Sequence, residues 1–333
     1  MASTIYDVAR VAGVSPKTVS NVLNGHRYVR EATRHKVEQA MAELDYRPNS
    51  SARNLRLGRT GIVTMVVPQL TLPAHAAFTN QIIPAAEARG WSVLLEQTYG
   101  DRQREVQCLR GRLAQLTDGM IMAPISLGPH DVGPIDFPFV MLHPPVPDSP
   151  VDTVATDDTA ASSMATRHLI EIGRTKIATI GCFPGETDGY RGARLTGHLA
   201  VLADEKLTQD PAGMFGAHSW DRESGAAAAN ALVDSGFEFN ALRAFNDALA
   251  LGAMRVLHDR GIRVPEDVAV IGFDDVEEAG HSLPTLSTIS PGRDEAARIS
   301  IDLIAEQLAA KTRRDPVTRT VGYTLRRRES TRV

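Results

Sequence analysis

The chain has little cysteine and no long apolar run among its 333 residues. Cys108 and Cys182 stand alone, without the spacing of a disulfide framework or a zinc site, so free thiols in a reducing compartment are expected. No apolar stretch is long enough to cross a bilayer. The first residues lack the basic and apolar segments of a secretion signal, and we therefore expect a cytoplasmic protein without a membrane partner.

Short catalytic motifs are also missing. The sequence contains no G-x-S-x-G, no H-E-x-x-H, no Cys/His cluster and no phosphate-binding Gly-Lys-Ser/Thr, which mark common hydrolases, metal enzymes and nucleotide-binding loops. Asp274 and Asp275 are adjacent, and in an extended segment adjacent side chains point apart, so they cannot act on one atom as an acid–base pair. Neither catalysis, a metal nor a cofactor is expected.

Acidic groups are scarce near the N-terminus. Residues 1–60 hold ten basic and five acidic side chains, whereas the remaining residues hold 26 basic and 35 acidic ones. A basic segment joined to an acidic remainder indicates a polyanionic partner for that segment alone, although a solvated charged face would give the same balance. The mass of 36.0 kDa favours two or three structural units.

The first 47 residues have the pattern of a helix-turn-helix head. Apolar residues at i, i+3, i+4 and i+7 from Ile5 predict a first helix, which Gly13 ends because glycine accepts a positive φ. Ser15 is a good N-cap, and Pro16 suits the first position of a second helix. A third helix is expected from Glu31 to Leu44. These elements predict an all-α head over residues 1–47.

The second helix has a polar face without acidic groups. Lys17 can donate to guanine O6 and N7, and Asn21, four residues later on the same face, can pair bidentately with adenine. Thr18, Ser20 and Asn24 suit phosphate oxygens. A polar face can also serve solubility alone, but the cap, the glycine turn and the basic balance together favour DNA binding.

A basic connector follows over residues 48–60. Ser50 to Leu57 can form a two-turn helix ended by Gly58, which is too short to be stable alone. Ala52 and Leu55 share its apolar face, and an exposed leucine beside a DNA-reading head suggests a hinge helix that wedges into the minor groove. The alternative is a disordered linker with Leu55 packed on the rest of the protein, and the residues alone leave both interpretations open.

From Gly61 onward, short apolar runs alternate with helical stretches. The predicted strands are 62–67, 91–95, 119–123, 139–142, 177–180 and 268–273. The predicted helices lie near 77–89, 102–116, 159–172, 191–202, 222–234 and 247–260. This alternation predicts an α/β body of two Rossmann-like lobes, each a parallel sheet covered by helices, with a ligand cleft at the carboxyl ends of the strands.

Polar side chains near the predicted strand ends are the candidates for the ligand site. They are Gln69, Thr71, His75, Asp157, Asp158, Arg194, Trp220, Asn246, Asp247, Asp274 and Asp275. Carboxylates, an amide and an arginine around an aromatic ring suit a sugar-like ligand, because they bond hydroxyls and pack on C–H faces.

Each candidate also has a structural interpretation. Asp247 could cap the helix after Asn246, and Asp158 or Asp275 could bond loop amides. We assign a ligand-binding role to the first residue of each adjacent pair and a structural role to the second. For Trp220 we leave both roles open. The resulting effector-binding set is Gln69, Thr71, His75, Asp157, Arg194, Trp220, Asn246 and Asp274.

Several segments carry a family resemblance. They are I-Y-D-V-A-R-V-A-G-V-S-P-K-T-V-S-N-V-L-N in the head, A-R-N-L in the connector, and V-P-E-D-V-A-V-I-G-F-D-D and P-T-L-S-T-I in the body. With them the chain resembles the lactose/galactose-repressor family of bacterial transcription regulators over essentially its whole length. The resemblance implies a periplasmic-binding-protein-like body, with lobe 1 at about 61–158 and 290–318 and lobe 2 at about 159–289 and 319–333. The chain would cross between the lobes three times, with a helix at 291–310 returning to lobe 1 and a last strand at 320–325 to lobe 2.

The same resemblance implies roles for single residues. Lys17 and Asn21, with Pro16, would read bases, although Asn21 departs from an arginine frequent there. Leu55 from each of two subunits would enter the minor groove beside Ala52. The residues at effector-contacting positions would be Arg194, Trp220, Asn246 and Asp274. The full DNA-binding set is Tyr6, Ser15, Pro16, Lys17, Thr18, Ser20, Asn21, Asn24, Tyr28, Ala52 and Leu55.

Three departures from the family pattern bear on the ligand. The run from Gln69 to His75 replaces an Asp-x-x-Asn-Pro segment followed by aromatics, His143-Pro144-Pro145 replaces Asp-Arg-Pro, and Arg243 interrupts an apolar strand. An unusual sugar or another metabolite is therefore expected.

We expect a ligand-controlled repressor that binds double-stranded operator DNA as a homodimer, because protein two-fold symmetry matches a palindromic site. The alternative is a solute-binding or sensor protein without operator recognition. No heptad repeat follows Arg328, so a coiled-coil tetramer is not expected.

Overall fold

The computed structural model describes residues 3–23, 26, 28–46, 59–310, 312 and 314–332. The chain divides into two compact units, residues 1–61 and 62–333, here called the head and the body. The whole of the predicted hinge helix, with Ala52 and Leu55, lies outside the described residues, and so does Asn24.

The head has three described helices, α1 (Ile5–Ala12), α2 (Pro16–Leu23) and α3 (Glu31–Glu43). Thr4 and Asp7 form a capping box at the start of α1, and Gly13 ends this helix at φ 66°. The Thr18 amide donates to Ser15 Oγ over 3.1 Å, so the prediction that Ser15 caps the second helix is confirmed.

The three helices enclose one small apolar core. Its buried members are Val8, Ala9, Val19, Val22, Val37 and Ala40. The i, i+3 spacing of the apolar residues in α2 turns them inward and leaves the other face of this helix to solvent. The head therefore has the three-helix arrangement that the sequence predicts.

The first lobe of the body, lobe 1, begins with five parallel strands and their helices. The elements are β1 (Ile62–Val67), α4 (Pro73–Glu87), β2 (Ser92–Gln97), α5 (Arg102–Arg110), α6 (Arg112–Leu116), β3 (Gly119–Met122), β4 (Phe139–Leu142) and β5 (Asp152–Thr156).

The second lobe, lobe 2, follows with the same alternation. Its elements are α7 (Asp158–Glu171), β6 (Ile177–Ile180), α8 (Gly189–Asp204), β7 (Met214–Phe215), α9 (Arg222–Asp234), β8 (Ala241–Ala244), α10 (Asp247–Asp259), β9 (Ala269–Phe273) and β10 (Ser287–Pro291). The chain ends with α11 (Arg293–Ala309), β11 (Thr318–Val321) and β12 (Tyr323–Arg326). Short 3-10 turns lie at 129–131, 211–213, 277–280 and 329–331.

The described strands form two six-stranded sheets, in the orders β11-β5-β4-β3-β1-β2 and β12-β10-β9-β8-β6-β7. All neighbours are parallel except β10 and β12. Helix α11 returns to lobe 1, where Ile301 and Ile304 join the core with Val63 and Ile121. Gly119 at the start of β3 permits this packing, because a Cβ there would come within 2.6 Å of Ile304 Cγ2.

The chain crosses between the lobes three times: before α7, at Gly292 and at Gly322. The Gly292 amide donates to Gly322 O over 2.8 Å, which joins two of these crossings. The predicted single strand at 320–325 is wrong, because Gly322 divides the segment into β11 of lobe 1 and β12 of lobe 2. The expected boundary at 318/319 therefore falls inside β11.

Other predicted elements differ in their limits. The helix predicted over 102–116 is two helices, because Gly111 is extended (φ −91°, ψ −169°) between them. The helix predicted from Pro291 begins at Arg293, since Pro291 is the last residue of β10. Strands β5 and β10 were missed because they are rich in polar residues, and β7 was missed because it has only two residues.

Candidate functional site

A cleft of about 1220 Å³ lies between the two lobes of the body. Its lining follows the carboxyl ends of β1, β3, β4, β5, β8 and β9. Ligands of open α/β sheets bind at this end, where the loops after the strands converge. The cleft is therefore the candidate ligand site of the body.

Arg194 on α8 forms the floor of the cleft and is almost fully buried. Its Nε donates to Asp158 Oδ1 over 2.8 Å, one terminal nitrogen donates to Phe245 O, and the other lies 3.5 Å from Asp274 Oδ1. Its guanidinium also stacks on the Phe273 ring, 3.6 Å from the centroid. Burial opposes the charge, but the two carboxylates outweigh it and raise the pKa of Arg194.

Asp274 and Asp275 form a turn after β9 with positive φ values of 113° and 52°. The Arg293 guanidinium, at the start of α11, donates to both of their backbone carbonyls. Asp274 lines the cleft, whereas Asp275 Oδ1 accepts from Arg328 over 2.6 Å. Asp274 is therefore the member of the pair that lines the cleft, and Asp275 has a structural role, as the sequence predicts.

Burial raises the pKa of Asp274 from 3.8 to about 6, with Arg194 and Arg293 acting against the shift. This carboxylate therefore changes charge close to physiological pH. A group of this kind in a cleft is a candidate for ligand binding.

Asn246 and Trp220 also line the cleft, but their polar atoms are engaged. Asn246 Oδ1 accepts from the Leu249 amide and caps α10, while its Nδ2 donates to Trp220 O over 2.9 Å. Trp220 Nε1 donates to Gly181 O over 2.9 Å. Trp220 therefore presents mainly its ring to the cleft. Asn246 presents the hydrogen-bonding capacity that remains after its capping bond.

The suggestion that Asp247 caps this helix is wrong, because Asn246 is the cap. Asp247 is fully buried and accepts from Thr288 Oγ1 over 2.6 Å and from the Val276 amide over 3.0 Å. Burial, aided by the charge of Asp274, raises its pKa well above the ordinary value. Asp247 therefore supports the wall of the cleft from behind.

Of the remaining predicted residues, Gln69 and His75 line the cleft, whereas Thr71 and Asp157 do not. Asp157 is the N-cap of α7, accepting from the Ala160 amide over 2.9 Å. Asp158 is the member of that pair that faces Arg194. The assignment of Asp157 to the ligand and Asp158 to structure is therefore reversed, because α7 begins at Asp158.

Sequence reasoning missed two residues of α8 that line the cleft, Tyr190 and Arg191. The Arg194 guanidinium lies 6.0 Å from the Tyr190 ring, and that of Arg191 lies 5.3 Å from the Trp220 ring. They occur four and three residues before Arg194, so they share its helix face. That spacing was the signal that could have identified them.

Arg243 on β8 lies behind the floor and is 0% exposed. It donates to Ala244 O and to Ser162 Oγ, and Ser162 in turn donates to Arg194 O. Its Nε has no hydrogen-bond partner, and no carboxylate in the described part of the chain forms an ion pair with it. Burial, together with Arg194, lowers its pKa to about 9, so the guanidinium stays charged at neutral pH.

On the head, the outward face of α2 carries exposed Lys17 and partly exposed Asn21. The Ser15 and Thr18 hydroxyls bond each other over 2.9 Å at the start of this helix. Tyr6 and Tyr28 expose their rings. The predicted DNA-reading residues of the described head are thus available at one helix and its flanks.

In the described residues, no helix combines the length and the apolarity that a membrane span requires. Within the same residues, no cluster of three or more His, Cys, Asp or Glu side chains suits a metal ion.

Known proteins share both units. The profile described as "Bacterial regulatory proteins, lacI family" matches residues 4–49, and the "Periplasmic binding protein-like domain" matches residues 166–331. The ribose operon repressor of Escherichia coli K12 is 31% identical, over 93% of this chain and 94% of the relative.

Two solved structures are similar over nearly the whole chain. A complex of the transcriptional regulator CelR with cellobiose is 32% identical, with a TM-score of 0.71, over 98% of this chain and 99% of that one. The lac repressor dimer bound to operator and the anti-inducer ONPF is 27% identical, with a TM-score of 0.82, over 99% of each chain.

The head, the cleft and these relatives all indicate the same function. They do not support the alternative of a sensor protein without operator recognition. The chain belongs to the LacI family of bacterial regulatory proteins, and it is a DNA-binding transcriptional repressor controlled by a small molecule.

Proposed function

We propose that two copies of this chain form a cytoplasmic dimer, without catalytic activity, whose heads read the two halves of a roughly palindromic operator. A hydroxyl-rich, sugar-like ligand in the cleft controls the affinity for DNA. The observation that carries this ligand class is the buried cluster of Arg194, Asp158 and Asp274 at the floor of the cleft. The cellobiose in the CelR complex supports it.

The ligand is held by charged hydrogen-bonding groups at the floor of the cleft. The Asp274 carboxylate accepts from ligand hydroxyls, and such charge-assisted bonds are stronger than neutral ones. Arg194 keeps this carboxylate in place while its own bonds to Asp158 and Phe245 O hold the guanidinium. The Trp220 ring, beside Arg194 at 5.1 Å, offers a face to the C–H groups of a sugar.

The DNA is read by α2 of each head. Lys17 and Asn21 contact base edges beside Pro16, while Ser15, Thr18, Ser20 and Asn24 hold phosphates. Tyr6 and Tyr28 flank this face. Leu55 and Ala52 of both subunits enter the minor groove at the centre of the operator. Ligand binding would rotate the lobes and change the operator affinity by a coupling of about 1–3 kcal/mol, which must be reciprocal.

Replacing Lys17 or Asn21 by alanine should remove the sequence preference at the base pair that the side chain contacts. Each substitution deletes base-edge hydrogen bonds, so discrimination between operator and unrelated DNA should fall by about 1–3 kcal/mol. The measurement is a gel shift with genomic fragments at low salt, followed by competition with unrelated DNA.

Lys36→Ala is the matched control, because it removes the same charge from α3 and should leave the preference between sequences unchanged. If no genomic fragment is retained specifically, with or without candidate ligands, the operator-binding proposal fails.

Ligand affinity should fall as pH drops through about 6. The pKa of Asp274 is raised to about 6, so its carboxylate accepts hydroxyl bonds above that pH and becomes protonated below it. The association constant should then drop by about tenfold per pH unit below the pKa. Calorimetry from pH 5 to 8 would measure it, with a sugar selected by thermal shift.

Asp274→Asn provides the reference for this titration, because an amide does not change charge. The Asp274→Asn variant should bind the ligand weakly, and its affinity should not fall as the pH drops through 6. Equal wild-type affinities at pH 5 and pH 7.5 would contradict the role given to Asp274.

A further inference from the structure

One loop of lobe 1, here called the β3 loop, forms the longest unbroken run in the lining of the cleft among the described residues. It follows β3 and comprises residues 123–131, all of which line the cleft. Strand β3 lies three strands from β11, at whose end the chain crosses between the lobes. A rotation of the lobes about the crossings would therefore move the β3 loop over a longer arc than the floor of the cleft.

A buried carboxylate on α5 holds the β3 loop from behind. Glu105 is 0% exposed and is not a lining residue of the cleft. Its carboxylate accepts from the Ile125 amide over 2.8 Å and from the Ser126 amide over 3.1 Å. Burial raises the pKa of Glu105, while the bonds from Ile125, Ser126 and Leu127 act against the shift. One side chain thus fixes consecutive amides of the loop.

Arg102, one turn before Glu105 on α5, adds two further bonds to the loop. Its guanidinium donates to Ser126 O over 2.7 Å and to Asp131 Oδ1 over 2.8 Å. Ser126 Oγ donates to Gly100 O over 2.7 Å, and Gly100, in the loop after β2, also lines the cleft. The first turn of α5 therefore holds the β3 loop near its start and at its end, and the β3 loop in turn holds a second lining segment.

The β3 loop and the floor of the cleft belong to different lobes. Arg194, Asp158 and Asp274 lie in lobe 2, so a ligand bonded to them keeps those bonds when the lobes rotate. Its contacts with the β3 loop change, because this loop moves with lobe 1. A ligand shifts a conformational equilibrium only through contacts that differ between the two states. If the loop were not anchored, the ligand would have to order it, and the entropy cost would reduce the contribution of those contacts.

We propose that Glu105 is a positioning residue for the response to the ligand: it touches no ligand, but it holds the β3 loop in the form that distinguishes the two orientations of the lobes. The inference rests on the lobe rotation of the proposed function and on no particular class of ligand. Contacts between the ligand and the floor do not depend on Glu105. Its loss should therefore weaken binding in one state of the protein and spare the other.

Glu105→Gln tests this role in the full-length protein. The carboxamide keeps one acceptor but places an NH2 group opposite one of the two amides, so one bond is lost. Thermal shift selects a ligand from hexoses, pentoses, disaccharides, nucleosides and amino acids at 10 mM. Calorimetry then gives its Kd for the free protein and for protein saturated with an operator fragment from the gel shift. In the state of tighter binding Kd should rise at least fivefold, and in the other state by less than twofold.

Asp152→Asn is the matched control. Asp152 is a buried carboxylate of lobe 1, 5% exposed, that accepts from the Val317 amide over 2.8 Å, but it does not line the cleft. Its neutralisation should lower the melting temperature while both Kd values stay within twofold of wild type. The melting temperatures of the free variants verify that both fold.

Hydrogen–deuterium exchange of the free protein tests the anchor without a ligand. Backbone amides of the β3 loop should exchange at least tenfold faster in Glu105→Gln than in wild type, because the anchored amides lose a protecting bond. Asp152→Asn should leave their exchange unchanged. Equal exchange in wild type and Glu105→Gln would overturn the inference.

An equal rise of Kd in both states, or no rise in either, would also overturn it, since a general loss of structure in the cleft acts on both states. A ligand that is not sugar-like would contradict the ligand class of the proposed function and leave the inference about Glu105 standing. If no member of the panel binds, the ligand class fails, and the exchange of the β3 loop decides the inference.

Discussion

Arg194→Met should lower the free energy of unfolding of the body by about 3–5 kcal/mol, the usual effect of removing one partner of a buried ion pair. The substitution leaves the Asp158 carboxylate, which is 2% exposed, without its cation. It also leaves Phe245 O without its donor. Urea unfolding, followed by circular dichroism, would measure the loss. The same variant should no longer respond to any ligand in the gel shift.

A second substitution separates the ion pair from general packing. Asp158→Asn in the Arg194→Met background removes the uncompensated charge, so much of the lost stability should return. Ligand response should stay absent in the double variant, because the guanidinium that positions Asp274 is still missing. A double variant that is as unstable as the single one would show that the charge on Asp158 is not the cause.

Arg243→Met should have the opposite effect and raise the free energy of unfolding by about 1–4 kcal/mol. Among the described residues, the buried Arg243 guanidinium has no ion-pair partner and its Nε has no hydrogen-bond partner. It therefore carries a desolvation penalty that Ala244 O and Ser162 Oγ offset only in part. Methionine is flexible and apolar, so it can fill the space that Arg243 leaves beside the Phe245 ring. Urea unfolding of wild type and variant at pH 7 gives the difference.

Arg255→Met is the matched control. Its side chain is 74% exposed and pairs with Asp259 at i, i+4, a contact worth about 0.3–0.5 kcal/mol. The control should therefore change stability by less than 1 kcal/mol in the unfavourable direction. An Arg243→Met protein less stable than wild type would show that the Ser162 and Ala244 bonds more than balance the buried charge.

The head was the part of the fold that the sequence predicted most closely. Its helix limits depend on local groups, namely the Ser15 cap, the positive φ of Gly13 and the apolar spacing around Val19. Such signals act within a few residues of each other and need no information from the rest of the chain. Among the helix limits of the described head residues, the end of α3 differed, at Glu43 instead of Leu44.

The body was less predictable where distant segments decide the outcome. Gly111 and Gly322 divide segments whose periodicity continues across them, and the second division exists because β11 and β12 pair with different sheets. Pairing with a distant strand leaves no mark in the local sequence. The alternation of strands and helices still predicted two lobes and the cleft between them.

Within the cleft, the sequence found Arg194, Asp274, Asn246 and Trp220 but misassigned Asp157. Whether the first or the second residue of an adjacent polar pair becomes the cap depends on where the helix starts, and helix starts are uncertain by a residue or two from sequence. Arg243 was noticed as an anomaly in an apolar strand. Its position directly behind the arginine of the site could be seen only in three dimensions.

The hydrogen bond between Gly292 and Gly322 joins two of the three crossings, so the lobe rotation that we propose would turn about it. Arg293 directly follows Gly292 and donates to the turn at Asp274, so the floor of the cleft would move over a short arc. Ile125 follows β3, three strands from β11 in the sheet, or roughly 14 Å away at the usual strand spacing, and would move over a longer one. A ligand shifts an equilibrium only through contacts that differ between its two states. Contacts far from the crossings would differ more between two such states than contacts beside them, so they would contribute more to the shift.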